Sequence, residues 1–310
     1  MARKKERSPR VVVGVDGSAH SRAALDWAAA EAARREIPIL VVYALGMPLM
    51  VSASAGPAHF GPTDEISEQA TDVLTRAATR VRELQPAVTV ETETALEEAP
   101  LALLRHCRPR DVLVVGTRGL GTFASVFVGS VSVRVAAQAP CPVVVVPSKE
   151  GKPATTSLKK IVVGVDDSDN ARRALRVAVD LASESDAELV VVNSWEVPYP
   201  YDPVAMTAMG YQPQEDLFDR RSEELVAELL AEVADERREG LDIEVSVVRT
   251  QDSPVNALLR ASEGADVIVV GSRGRGTVRG LLLGSVGQGV LHRSQIPVAV
   301  MPHNADHDQL

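Results

Sequence analysis

Two stretches of the chain place glycine and serine where a phosphate could be held. GTRGLGTFASVFVGS (116–130) and GSRGRGTVRGLLLGS (271–285) share one pattern, G-x2-G-x9-G-S. It falls on Gly116, Gly119, Gly129 and Ser130, and again on Gly271, Gly274, Gly284 and Ser285. Glycine lacks a Cβ, so its backbone can take positive φ and approach a ligand closely. The serine opens a predicted helix, whose first N–H groups are unpaired and lie at the positive end of the helix dipole. Two such segments framing one strand end would cradle a polyphosphate. Tight turns alone would not fix a nine-residue interval twice. Other phosphate motifs fit worse, since G-x4-G-K-[ST] and G-x-G-x-x-G are both absent.

The elements that must position these residues are also written twice. VVVGVDGS (11–18) returns as IVVGVDDS (161–168), an offset of 150. DVLVVGTRGLGT (111–122) returns as DVIVVGSRGRGT (266–277), an offset of 155 with nine of twelve residues identical. CPVVVVP (141–147) returns as IPVAVMP (296–302). The five-residue increase is expected in VPYPYDPVAMTAMGYQP after Trp195, which reads as a long loop. Polar SKEGKPATTSLK reads as the linker. The expected organisation is a basic tail (1–9), a first domain (10–147), a linker (148–159), a second domain (160–302) and a C-terminal tail (303–310).

Within the first unit, strands are expected at Val11–Val15, Ile39–Tyr43, Val88–Glu93, Val112–Val115 and Val143–Val146. Helices are expected at Ser21–Arg35, Asp64–Leu84, Pro100–Cys107 and Ser130–Gln138. VVVGV and VLVVG are apolar without alternation, as in parallel strands covered on both faces. The predicted fold is α/β: two tandem doubly wound domains, each a five-stranded parallel sheet with helices on both faces. Ligands in such a sheet sit beyond the carboxyl ends of the strands, where the strand order reverses. Gly116 and Gly271 close strands at that edge.

Composition narrows the function. With 310 residues, 45% hydrophobic and 24% charged, the chain reads as globular and long enough for two domains. A net charge of -9 and 3% aromatic residues argue against nucleic acid. No apolar run is long enough to span a bilayer, and the N-terminus has no secretory pattern. Cys107 and Cys141, without metal-type spacing, read as reduced thiols of a cytoplasmic protein. The six histidines do not correspond between units and read as surface or helix residues.

The glycine-serine pattern after a fourth strand, with a first strand ending VGVD, resembles the ATP-binding branch of the universal stress proteins, over nearly the whole chain and twice. The resemblance implies an adenine-nucleotide α-hydrolase-like fold with one ATP site per unit. It implies phosphate contacts from Gly116, Gly119, Gly129 and Ser130, and from Gly271, Gly274, Gly284 and Ser285. Val131, Ser132, Val286 and Gly287 share the same helix turns as weaker candidates. Arg118 and Arg273, between the paired glycines, either reach a phosphate or are solvated loop residues. Asp16 and Asp166 lie near the adenosine end in the family, against ribose hydroxyls or a bound Mg²⁺; the alternative is a turn or N-cap role. Adenine is read there by backbone, at about Ala44 and Ser194. The family also pairs last strands between domains, so PVVVVP and PVAVMP are expected to join the two halves, with further dimerisation open.

Leu120 and Ala124 correspond to Arg275 and Arg279, which predicts tighter phosphate binding in the second site. No Walker lysine, kinase HRD loop or repeated His or Glu placed to activate a nucleophile appears in either unit, so a nucleotide-dependent regulator is expected. The alternatives are a slow Mg²⁺-dependent ATPase and a structural pairing module without nucleotide.

Overall fold

The computed structural model describes residues 8–46, 49–52, 56–59, 61–118, 128–148, 157–196, 215–237, 240–274 and 283–303. The first half runs β1 (Val11–Val15), α1 (Ala19–Arg34), β2 (Ile39–Ala44), β3 (Leu49–Ser52), β4 (Gly56–His59), α2 (Asp64–Leu84), β5 (Val90–Ala95), α3 (Ala99–His106), β6 (Val112–Gly116), α4 (Ser130–Gln138) and β7 (Val143–Val146). The second runs β8 (Lys160–Gly164), α5 (Asp169–Ser185), β9 (Glu188–Ser194), α6 (Glu215–Asp235), β10 (Val245–Thr250), α7 (Pro254–Ala261), β11 (Val267–Gly271), α8 (Ser285–Arg293) and β12 (Val298–Met301).

In the first half the strand order is β5-β2-β1-β6-β7, all parallel, and the second half repeats it as β10-β9-β8-β11-β12. The chain winds outward from β1, then returns to lay β6 on its other side. The reversal therefore lies between β1 and β6, and between β8 and β11. β7 and β12 run antiparallel side by side, with Val143 opposite Val300, Val144 opposite Ala299 and Val145 opposite Val298. The result is one ten-stranded sheet.

Successive strand residues face opposite layers. Val11, Val13 and Val15 pack with Trp27 of α1 and Leu74 of α2 on one face, whereas Val12 packs with Leu103 of α3 and Val135 of α4 on the other. This two-sided burial explains the unbroken apolar runs. α1, α2, α5 and α7 begin at side-chain caps from Ser18, Thr63, Ser168 and Ser253. Asp111 and Asp266 serve the amino edge of the sheet: Asp111 accepts N–H bonds from Arg10 and Arg108, and Asp266 from Lys159 and Lys160. Cys107 and Cys141 are buried free thiols in mutual contact; the hydrogen bond to Cys107, together with burial, pushes the Cys141 thiol well up.

Two expectations are corrected. The hairpin β3–β4 was not foreseen, because its residues carry no period-2 apolar pattern. The extra five residues of the second half also do not all precede α6. Buried Ala70, Leu74, Ala77 and Val81 of α2 correspond to Ser222, Val226, Leu229 and Val233, an offset of 152. Three of the five therefore follow the helix, before β10 at offset 155. Residues 197–214 of the proposed loop lie outside the described residues. Among the described residues no helix is long and apolar enough to cross a membrane.

Candidate functional site at the strand reversal

At the carboxyl end of β1 the chain turns directly into α1. Asp16 Oδ1 accepts the Ser18 N–H at 3.0 Å, and Ser18 Oγ accepts the Ser21 N–H at 3.1 Å. In the second half Asp166 Oδ1 accepts both the N–H of Ser168 at 3.0 Å and its hydroxyl at 2.5 Å. Both aspartates thus make the turn contact set out as their alternative role, at the strand reversal itself.

β6 ends beside this turn. A Cβ on Gly116 would lie 2.7 Å from the His20 carbonyl oxygen and 2.8 Å from its carbon. A Cβ on Gly271 would lie 2.9 Å from Asn170 Cβ and 3.0 Å from its carbonyl carbon. His20 and Asn170 are equivalent second residues of α1 and α5. These glycines therefore let a strand end touch the first turn of the neighbouring helix. Gly116, Gly129, Gly271, Gly274 and Gly284 do not take the expected positive φ. Among the described residues the glycines with positive φ are Gly17, Gly240 and Gly264. Space, not φ, is what Gly116 and Gly271 provide.

The loop then folds back onto the next helix. Gly129 donates its N–H to the Thr117 carbonyl at 2.7 Å, and Gly284 to the Ser272 carbonyl at 2.8 Å. Gly129 and Gly284 are the N-caps, so Ser130 and Ser285 are first helical residues. Neither helix has a side-chain cap. The N–H groups of Ser130, Val131 and Ser132, and of Ser285, Val286 and Gly287, therefore have no intrahelical partner. Ser132 turns its hydroxyl onto the Gly116 carbonyl at 2.7 Å and is buried, whereas Gly287 has no side chain to do so. α1 and α4 thus present two helix N-termini to one strand end, as do α5 and α8.

In the second half a Cβ on Gly274 would meet Asp166 Oδ2 at 2.6 Å, so loop and carboxylate touch. Asn170 Nδ2 donates to the Arg273 carbonyl at 3.1 Å and holds the loop over α5. Ala44 and Ser194 close β2 and β9, one strand further out. The following N–H groups, of Leu45 and Trp195, are bonded to Ala95 and Thr250. Gly119, and the Leu120, Ala124, Arg275 and Arg279 behind the expected affinity difference, lie outside the described residues.

His20, expected to be a surface or helix residue, is the second residue of α1, and its carbonyl lies against Gly116. Burial, then the nearby Arg118 charge, hold its imidazole below the usual range, while Asp16 opposes them. It lies at the β1–α1 turn of the first half, where the second half has Asn170. A histidine whose folded pKa is lowered contributes stability above its unfolded pKa of about 6.5, lost as pH falls through that value toward the folded one. His20→Asn is therefore expected to lose less melting temperature than wild type between about pH 7.5 and 5.5. Equal losses would place the imidazole outside these fields.

The sequence pattern of the universal stress protein family matches residues 8–147 and again 157–302. A universal stress protein of Mycobacterium tuberculosis is 31% identical over 301 residues, covering 96% of this chain and 98% of that protein. One from Mycolicibacterium smegmatis is 33% identical over 294 residues, covering 94% and 96%. The crystal structure of a universal stress protein from Archaeoglobus fulgidus shares the fold with a TM-score of 0.65 at 23% identity, covering 94% of this chain and 96% of that one. Two matched units, relatives of the same length and the same fold agree: the chain is a tandem-domain member of the universal stress protein family.

Proposed function

We propose that each half binds one ATP at the strand reversal, and that nucleotide occupancy regulates what the protein associates with. The observation that carries this is the convergence of an uncapped helix N-terminus, a crowded glycine loop and an arginine on the carboxyl edge, at the same place in both halves. Three adjacent N–H groups at a positive helix end suit phosphate oxygens. Arg118 and Arg273 lie in the same loops and supply charge-assisted donors.

The donor set also fits Mg²⁺ arriving with the nucleotide. That ion takes one or two carboxylates plus phosphate oxygens, and each site has one aspartate, Asp16 or Asp166. Asp166 against Gly274 would otherwise repel a phosphate on that loop. Among the described residues no group of three or more His, Cys, Asp or Glu could hold a metal, so the phosphates would complete the shell. When bound, the ion neutralises phosphate charge; the protein's own groups bind and orient. Neither half repeats a His or Glu placed to activate water, which favours a sensor over an ATPase. The antiparallel contact of β7 with β12 supports pairing of the halves as the working assembly.

Calorimetric titration with Mg-ATP tests the sites. Wild type is expected to bind about two nucleotides per chain, Gly284→Glu about one and Gly129→Glu/Gly284→Glu none. The new carboxylate would lie at the helix N-terminus where the phosphate belongs. No binding by wild type would sink the proposal. Turnover on the order of 1 per second or faster would replace the sensor with an enzyme.

A further inference from the structure

The contact between the halves has a pseudo-two-fold axis that the sequence repeat makes visible. Across a true two-fold, only residues on the axis face their own equivalents. Val144 pairs with Ala299, and these are equivalent residues at offset 155. On the same face, Arg34 at the end of α1 reaches Glu184 at the end of α5 at 2.8 Å, and these are equivalents at offset 150. Arg35 adds a second contact to Glu184 at 3.5 Å, and its own equivalent is Ser185. Glu31, buried between Arg34 and Arg35, orients both guanidinium groups and has Leu181 as its equivalent. At each axial position the two halves therefore carry different residues, cation against anion and larger against smaller.

From this we infer that the interface is selective: the first half fits only a second half, and neither fits a copy of itself. The inference rests on the pairing of the halves proposed above. Two first halves would set Arg34 against Arg34 with Arg35 beside each, and Val144 against Val144. Two second halves would set Glu184 against Glu184 with Asp180 nearby, and leave a gap between two Ala299 methyls. The half-buried setting strengthens repulsion between like charges. Selectivity of this kind works by penalising wrong partners as much as by rewarding the right one. The partner the surface fits is thus the complementary half, supplied by the same chain through the linker or reciprocally by a second copy.

The test uses the full chain. Glu184→Arg sets cation against cation and is expected to lower the melting temperature by about 4 °C. Exchanging the clusters restores opposite charges across the axis, with Glu31→Leu, Arg34→Glu and Arg35→Ser in one half and Leu181→Glu, Glu184→Arg and Ser185→Arg in the other. The exchanged chain is expected to regain most of that loss. Glu184→Gln, which adds no repulsion, is expected to lie between wild type and Glu184→Arg. Hydrogen exchange of residues 143–146 and 298–301 separates the two levels of the argument. Consecutive protected amides mean that both strands are paired on both sides; alternate exchange marks open edges and overturns the pairing and the selectivity together. Protection in wild type, with the exchanged chain no more stable than Glu184→Arg, overturns the selectivity alone.

Discussion

Gly116→Ala is expected to cost about 2–3 kcal/mol, lowering the melting temperature by roughly 6 °C, without touching any ligand. The added Cβ would sit 2.7 Å from the His20 carbonyl oxygen and 2.8 Å from its carbon, both backbone atoms. Neither can swing aside as a side-chain end would, so α1 must move off β6. The series should grade with the clearance. Gly271→Ala meets Asn170 Cβ at 2.9 Å and the carbonyl carbon at 3.0 Å, and should cost less. Gly129→Ala, 3.3 Å from the Thr117 carbonyl oxygen, should lose only the modest preference of an N-cap for glycine over alanine. Thermal unfolding of the three variants checks the order. Gly116→Ala as stable as wild type would show that the helix and strand are not crowded. Should Gly116→Ala also weaken ATP binding, the cause would be a displaced helix N-terminus, because this glycine faces His20.

That distinction could not be drawn from sequence. Spacing showed that Gly116, Gly129 and Ser130 act together, and apolar continuity in VVVGV and VLVVG showed strands buried on both faces. Both patterns are local, and each half repeats them. What spacing cannot show is which neighbour comes close. Gly116 and Gly271 looked like positions for unusual φ, yet they make room for His20 and Asn170, which lie about 100 residues away in the chain. Whether Gly129 or Ser130 is the cap is decided by the extended backbone of Gly129 and by its carbonyl, which accepts the Val133 N–H. β5 was expected at Val88–Glu93 and lies at Val90–Ala95, because its exposed Glu91 and Glu93 give an edge strand a weak apolar signal. The setting of His20 comes from burial and from the charges of Arg118 and Asp16, which spacing in the sequence does not show.

Val144→Asp should have the largest effect of all and should reveal whether the halves stand or fall together. Val144 is 3% exposed, faces the core layer that includes Val146 and Met301, and pairs with Val114 on one side and Ala299 on the other. A carboxylate there would sit among apolar side chains, and burying an unpartnered charge costs more than about 4 kcal/mol. The chain offers a means of assigning that loss. Its two tryptophans fall one in each half, Trp27 in α1 and Trp195 after β9. Trp195→Phe leaves a chain whose fluorescence follows the first half, and Trp27→Phe one that follows the second. If β7 and β12 share one sheet, Val144→Asp lowers the midpoint reported by Trp195 as well as that reported by Trp27. Ala299→Asp should do the same from the other side, because its methyl enters the same layer. A Val144→Asp chain in which Trp27 reports early melting while Trp195 keeps its wild-type midpoint would show two independent units. The ladder from Val143 to Val145 would then contribute nothing to the stability of the second half.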